Sequence, residues 1–270
     1  MNRKHRLFLL VTICALCASQ AIAQKAVRSA DSLIKPEAKV LYIKPKGPDP
    51  LLHEMSGGFR LNTNGWSIFT DIGKFKAKNL KQVDMFHDVR IWQIEFTEKK
   101  NPKEYKSTST DGSGTNTYIY GKINNFYALK LGWGYRKQIV GKPDPGTLSI
   151  HWVNTLGVSI GLLKPYYLNV YSNPGAVKYN DATKKDFLDQ GLIEGNAGFS
   201  KGLSEVKVVP GGHFKSALHF DFSGNKKMAL GVELGVNAEY YSQELSLMAN
   251  QPATAYFTDL YIGLQVGKRW

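Results

Sequence analysis

The last dozen residues constrain this chain more than any other stretch. Leu260, Ile262, Leu264, Val266 and the terminal Trp270 fall on one face of an extended segment, and Asp259, Tyr261, Gly263, Gln265, Gly267 and Arg269 on the other. Successive strand side chains point to opposite sides, so strict alternation implies a strand whose two faces meet different solvents. Lys268 sits on the apolar side, where a long stem can carry its charge past a membrane edge. The preceding strands repeat the pattern. Phe214, Leu218, Phe220 and Phe222 oppose His213, Lys215, His219 and Asp221; Met228, Leu230, Val232, Leu234, Val236 and Ala238 oppose Gly231, Glu233, Gly235, Asn237 and Glu239.

The opposite terminus says where such strands go. Arg3, Lys4 and Arg6, an apolar run from Leu7 to Leu16, and Ala21-Ile22-Ala23 before Gln24 have the layout of a secretory signal, expected to be removed as residues 1–23. The run is too short for a retained membrane helix. Both cysteines, Cys14 and Cys17, lie inside it, preceded by Ile13 and Leu16 where a lipid-attachment site needs a small residue. The mature chain is therefore expected to have no thiol chemistry and no disulfide. Cleavage removes three cations and no carboxylate, taking the net charge from +13 to +10. Two lysine runs, Lys74/Lys76/Lys78/Lys81 and Lys99/Lys100/Lys103/Lys106, read as solvated turns or as contacts to anionic lipid headgroups. An exported chain without a binding motif is not expected to bind nucleic acid.

No later stretch supplies the roughly twenty consecutive apolar residues of a spanning helix. A spanning strand sends only half its residues to lipid, so a barrel escapes that test. Residues 24–38 read as a periplasmic lead-in and 39–270 as the barrel. Strands are expected over Phe59–Phe75, Val83–Phe96, Thr117–Val140, Thr147–Leu163 and the three C-terminal segments, with a register break in the second, where the apolar face shifts from Val89 and Ile91 to Trp92, Ile94 and Phe96. Asn64-Gly65 within the first could be a bulge or a tight turn. Single-chain bacterial barrels take an even strand number, so Lys39–Lys44 is taken as the first of eight. Connections then alternate short (76–82, 141–146, 224–225) and long (45–57, 98–116, 172–211, 242–254), the arrangement of periplasmic turns and extracellular loops. In the longest loop, Ser172–Gly211, Thr183-Lys184-Lys185-Asp186 resembles a capping box ahead of a short amphipathic helix with Phe187, Leu188 and Leu192. A soluble β-sandwich also alternates, but needs neither the terminal aromatic nor charged, Gly-studded faces. Leu264, Val266 and Trp270 together match the assembly signal that barrel-assembly machinery reads during insertion.

If the apolar faces meet lipid, the bore holds Lys130, Arg136, His151, Lys215, His219, Asp221, Glu233, Glu239, Asp259 and Arg269. Eight strands enclose only enough room for side chains, and buried charge must be paired, so a salt-bridged plug is expected, with a proton or ligand path as the functional alternative. His213, His219 and Asp221 invite an enzyme reading, a lipid hydrolase or acyltransferase in the outer leaflet. Yet His219 and Asp221 stand about 7 Å apart as same-face neighbours, and no G-x-S-x-G motif is present. No catalytic residue, metal site or cofactor is assigned. The tryptophans at 66, 92, 133 and 152 lie in the lipid-facing phase and read as interfacial girdles.

Gly58-Phe59-Arg60-Leu61-Asn62-Thr63-Asn64-Gly65-Trp66, Tyr120-Gly121-Lys122 with Asn124-Asn125-Phe126-Tyr127, and Gly161-Leu162-Leu163-Lys164-Pro165-Tyr166-Tyr167-Leu168 resemble the small outer-membrane β-barrel proteins of Bacteroidota, of the outer membrane protein beta-barrel domain type. The resemblance implies location and fold and brings no catalytic residues. The expectation is an all-β, closed antiparallel transmembrane barrel of eight strands with long extracellular loops and one short loop helix. It would be non-enzymatic, structural or an accessory subunit of an envelope assembly or secretion complex contacted through Ser172–Gly211. A lipid-modifying enzyme and a narrow pore are the alternatives.

Overall fold

A computed structural model describes residues 51–75, 88–111, 114–141, 147–225 and 227–270. The export segment, the lead-in, the expected strand 39–44 and the turn at 142–146 lie outside the described residues. In chain order the strands are β1 (His53–Asn62), β2 (Gly65–Phe75), β3 (Asp88–Lys99), β4 (Lys106–Asp111), β5 (Gly114–Ile119), β6 (Asn124–Val140), β7 (Ser149–Pro165), β8 (Tyr167–Val170) and β9 (Asn173–Lys178). Helix α1 (Lys184–Leu188), β10 (Ile193–Asn196), a 3-10 turn (Leu203–Glu205), β11 (Lys207–Asp221), β12 (Met228–Leu245) and β13 (Thr254–Arg269) follow.

Eight strands close a barrel in the order β1-β13-β12-β11-β7-β6-β3-β2, every neighbour antiparallel. The number is eight, but the missing strand comes from elsewhere. The segment expected as one strand, Phe59–Phe75, is the end of β1, a two-residue turn at Thr63-Asn64, and β2; β1 then pairs with the last strand and closes the barrel without 39–44. The turn explains why Phe59 and Leu61 are out of step with Trp66 and Ile68, since each belongs to its own strand. Gly65 makes the turn possible. Its φ is +150°, and a Cβ there would lie 1.9 Å from the Glu98 carbonyl oxygen.

The register break expected near Val89 does not occur. β3 pairs without interruption with β2 and β6. Val89 and Ile91 simply face inward, against Phe75, Val153, Ala217 and Tyr261. Apolar residues in the bore, not a slipped strand, produce the apparent switch.

Outside, the wall is a continuous apolar surface: Trp92, Leu156, Val158, Leu260 and Leu264 are each at least 60% exposed, and Ile68, Ile94, Leu131, Leu218 and Leu234 continue the band around it. A water-facing protein seldom exposes apolar patches beyond a few hundred Å². A band on every strand with a polar interior is the surface of a transmembrane barrel, and it rules out the sandwich, whose apolar faces meet inside. No described helix is long and apolar enough to cross a membrane; the strands do the crossing. Leu264, Val266 and Trp270 stand on this outer surface. The backbone of Trp270 exchanges hydrogen bonds with His53 at the closing seam, and its indole stacks on the His53 ring at 6.0 Å.

β6 and β7 run 17 residues and β12 runs 18, whereas a tilted strand crosses hydrocarbon in about 9–11. The excess carries a lobe. Residues 172–211, expected to be a loop with one helix, contribute to the sheet β10-β8-β9 and the start of β11, and the β4–β5 hairpin runs from the expected polar loop at 98–116 into the expected strand Thr117–Val140, which is broken between Ile119 and Asn124. Tyr118, Tyr166, Leu168, Val170, Val177, Phe187 and Ile193 form the lobe's core. Tyr120 Oη donates to the Leu188 carbonyl (2.9 Å), and the Ile119 N–H donates to Tyr166 Oη (3.1 Å), joining hairpin to sheet. The helix at 184–188 is present, but the capping box is not: Thr183 makes no side-chain cap, and its hydroxyl turns back to the Lys178 carbonyl.

Candidate functional site

The bore is built in layers because alternate residues of eight strands point inward. In the layer nearest the C-terminus, Arg136 Nη1 and Arg269 Nε each donate to Glu54, both at 2.7 Å, and Arg269 also binds Asp221. Higher up, Arg60 bridges Glu95 (2.6 Å) and Glu233 (3.0 Å), and Lys215 binds both Glu95 and Gln93. Tyr261 Oη donates to Glu233 (2.7 Å), while His219 lies 3.8 Å from Glu233 and 6.0 Å, ring to ring, from His151. In the uppermost polar layer Lys130 reaches Glu95 (3.0 Å) and Glu239 (2.5 Å). Lys99 reaches Glu239 (2.8 Å) and also Asp259, and Tyr241 Oη donates to Glu239 at 2.6 Å.

All ten interior positions named from the sequence face the bore, each 1–3% exposed. The sequence reading missed Glu54, Arg60, Asp71, Glu95 and Lys99, which hold the layers together. Glu95 alone binds Arg60, Lys130 and Lys215, from three other strands. The signal was present: Arg60 stands between Phe59 and Leu61, and Glu95 between Ile94 and Phe96. Both were hidden, one by fusing β1 with β2 and the other by the supposed break in β3.

Apolar side chains fill the bore beside the network. Above it Phe126, Tyr241, Leu245, Leu247, Met248 and Phe257 fill the bore, Phe126 packing edge-on to Tyr241 (4.9 Å) and stacked on Phe257 (5.7 Å). Phe75, Val89 and Ile91 pack with Val153, Ala217 and Tyr261 among the ion pairs. Contacts such as Lys215–Glu95 and Lys99–Asp259 cross the bore between strands that are not neighbours in the wall.

The trio His213, His219 and Asp221 does not form a constellation. Each sits in a different layer: His213 beside Ser159 (Oγ to Nδ1, 3.0 Å), His219 beside Glu233, Asp221 beside Arg269. The Ser159–His213 pair is the nearest approach to a nucleophile and base, yet both are buried and the imidazole points into the bore toward Gly132. Among the described residues no group of three or more His, Cys, Asp or Glu could hold a metal ion.

The outer lobe offers the other candidate site. A cleft of about 450 Å³ at the mouth of the barrel is lined by Asn124, Leu163, Pro165, Lys178, Tyr179, Glu205 and Lys207. On its rim Glu205 accepts hydrogen bonds from Lys178 and from Tyr167 Oη (2.5 Å). The bond from Lys178, then that from Tyr167, holds the Glu205 carboxyl below the usual glutamate range, and the same contact raises Lys178.

No family profile and no curated protein matches the chain. Solved structures do. Ail, the attachment invasion locus protein of Yersinia pestis, aligns with 82% of this chain and 100% of its own at 9% identity and a TM-score of 0.35. Neisserial surface protein A aligns with 83% and 100% at 8% identity and 0.36. The outer membrane enzyme PagL aligns with 78% and 97% at 12% identity and 0.31.

Proposed function

We infer that this protein is a non-enzymatic, non-conducting barrel of the outer membrane that holds a folded lobe at the cell surface, as a structural or accessory subunit of an envelope assembly or secretion complex. The observation that carries the reading is the pairing of a bore filled by ion pairs with an ordered lobe. Buried ion pairs and the apolar cluster around Phe126 and Tyr241 fill the interior, which favours a bore that does not conduct. The lobe, by contrast, has its own core and is cross-tied by Tyr120–Leu188 and Ile119–Tyr166. Loops with no partner need no such core. Its outward surface, from Ser172 to the start of β11, is the contact face, and the barrel-assembly machinery is a transient partner that reads the C-terminal strand.

The test is recovery of tagged protein from outer membranes in mild detergent, beside a variant in which residues 172–204 are replaced by a short Gly-Ser linker. Stoichiometric co-recovery of an assembly or secretion complex, lost in the linker variant, supports the reading. Recovery of the full chain with lipid alone sinks it. Single-channel steps in planar bilayers would favour the pore, and a mass change of outer-leaflet lipid on overexpression the enzyme.

A further inference from the structure

One lysine of the wall is covered without a counter-ion. Lys164, near the end of β7, belongs to the outward-facing phase of its strand, yet is only 3% exposed. Phe199, from the lobe segment that comes down outside the barrel, lies over its ammonium at 4.7 Å from the ring centroid. Other buried lysines meet carboxylates: Lys99, Lys130 and Lys215 in the bore, and Lys122 with Glu104 at 2.8 Å. Among the described residues Lys164 has no such partner. The stem is packed away and the ammonium, at the edge of that cover, meets no carboxylate; a ring face compensates an unpaired charge only in part.

The surroundings say what completes it. Phe59, Trp66, Phe96 and Tyr127 form an unbroken row of rings around the outer wall, with neighbouring centroids 5.9–6.2 Å apart, and Phe199 ends the row edge-on to Tyr127 at 6.3 Å. Trp66 and Tyr127 in this row are the amphipathic rings that sit at the boundary between hydrocarbon and headgroups. Leu162 pairs with Tyr127 in register, and Lys164 pairs with Asn125 one same-face step further out, about 7 Å along the strand. That is the level of the headgroups. Lys201, exposed, lies two residues from Phe199 in the same segment.

We propose that Lys164, flanked by Asn125 and roofed by Phe199, seats the phosphate of an outer-leaflet lipid, whose acyl chains lie against the ring row below. The ammonium supplies the charge and the Asn125 amide a neutral donor. Phe199 clamps the headgroup and ties the lobe to the membrane surface. A lipid fits better than free phosphate because the rings continue the site into hydrocarbon.

The experiment is native mass spectrometry of the full chain in detergent, titrated with bis-phosphorylated lipid A, its dephosphorylated form, or inorganic phosphate. The proteins are wild type, Lys164→Gln, Phe199→Ala and, as control, Lys268→Gln at the other rim. Heat-modifiable gel mobility shows that each barrel is folded. Expected is one retained phosphorylated lipid on wild type and K268Q, at least fivefold lower occupancy in K164Q, and a smaller loss in F199A. The dephosphorylated lipid should bind wild type no better than the phosphorylated one binds K164Q. Equal occupancy in folded K164Q, or equal binding of the dephosphorylated lipid, overturns the proposal. Full displacement of lipid by millimolar inorganic phosphate overturns the assignment to a lipid.

Discussion

The bore and the lobe solve the same problem in opposite ways. In the lobe, Phe187, Leu168 and Ile193 are buried together and lysines such as Lys184 and Lys185 face water. In the barrel most large apolar side chains are outside, and Arg60, Lys99, Lys130 and Lys215 are among the most deeply buried residues. The difference is the solvent. Lipid removes the drive to bury apolar surface, so the wall gains nothing from an apolar interior, and close ion pairs with few competing waters hold the layers instead. The lobe, in water, is held by burial. One chain therefore carries two stability regimes, with different vulnerabilities.

The sharpest way to break the contrast is Glu95→Ala. It leaves Arg60, Lys130 and Lys215 facing one another, and breaking a buried pair costs about 3–5 kcal/mol. A lower urea midpoint for refolding into detergent, or loss of the heat-modifiable band, is the expected outcome; an unchanged midpoint would mean that water fills the bore. Phe187→Ala should cost about 3 kcal/mol at the lower end of the range for core aromatics, but only in the lobe. Limited proteolysis should then cut within 172–206 while the barrel stays protease-resistant. Simultaneous loss of both would show that the two regions fold as one. Tyr241→Phe removes the hydroxyl that donates to Glu239. A hydrogen bond to a charged group contributes about 1.5–3 kcal/mol, so a modest drop in barrel stability with no effect on lobe proteolysis is expected.

The smallest effect concerns pH. Glu205 is held below its ordinary value of 4.5 and Lys178 above 10.5. The Glu205 contribution is therefore fully present above pH 4.5 and lost as pH falls through its lowered value. That of Lys178 is present below 10.5 and lost as pH rises through its raised value. Proteolytic protection of the lobe should be flat between those limits and fall outside them. Glu205→Gln should remove the acid limb alone, and a wild-type acid limb that survives in this variant would assign it to another carboxylate.

Much of the fold was legible because the period-two signal is strong wherever a strand separates two solvents. β11, β12 and β13 could be read residue by residue, and the side of the wall on which Trp270 stands followed from the same alternation. The signal failed in two places for one reason: it reports which face a residue occupies, not where a strand turns or what lies on the inner face. Thr63-Asn64 is a turn only because Gly65 can take φ +150° against the Glu98 carbonyl. Val89 and Ile91 mimic a slipped register only because the bore also holds apolar side chains. The lobe was the least legible, since strands of four to six residues in a polar segment carry too few alternations to stand out.

By itself, the sequence determined the alternation, and through it the all-β class, the lipid-facing surface and the identity of ten bore residues. Those properties depend on the parity of neighbouring residues along one strand. Only the tertiary structure decided that β1 closes on β13, that Glu95 is the hub of the bore, that Ser159 and His213 meet inside the wall, and that Phe199 roofs Lys164. Each of these joins residues from 35 to more than 200 positions apart, and such distances are set by barrel closure and loop packing, not by local pattern.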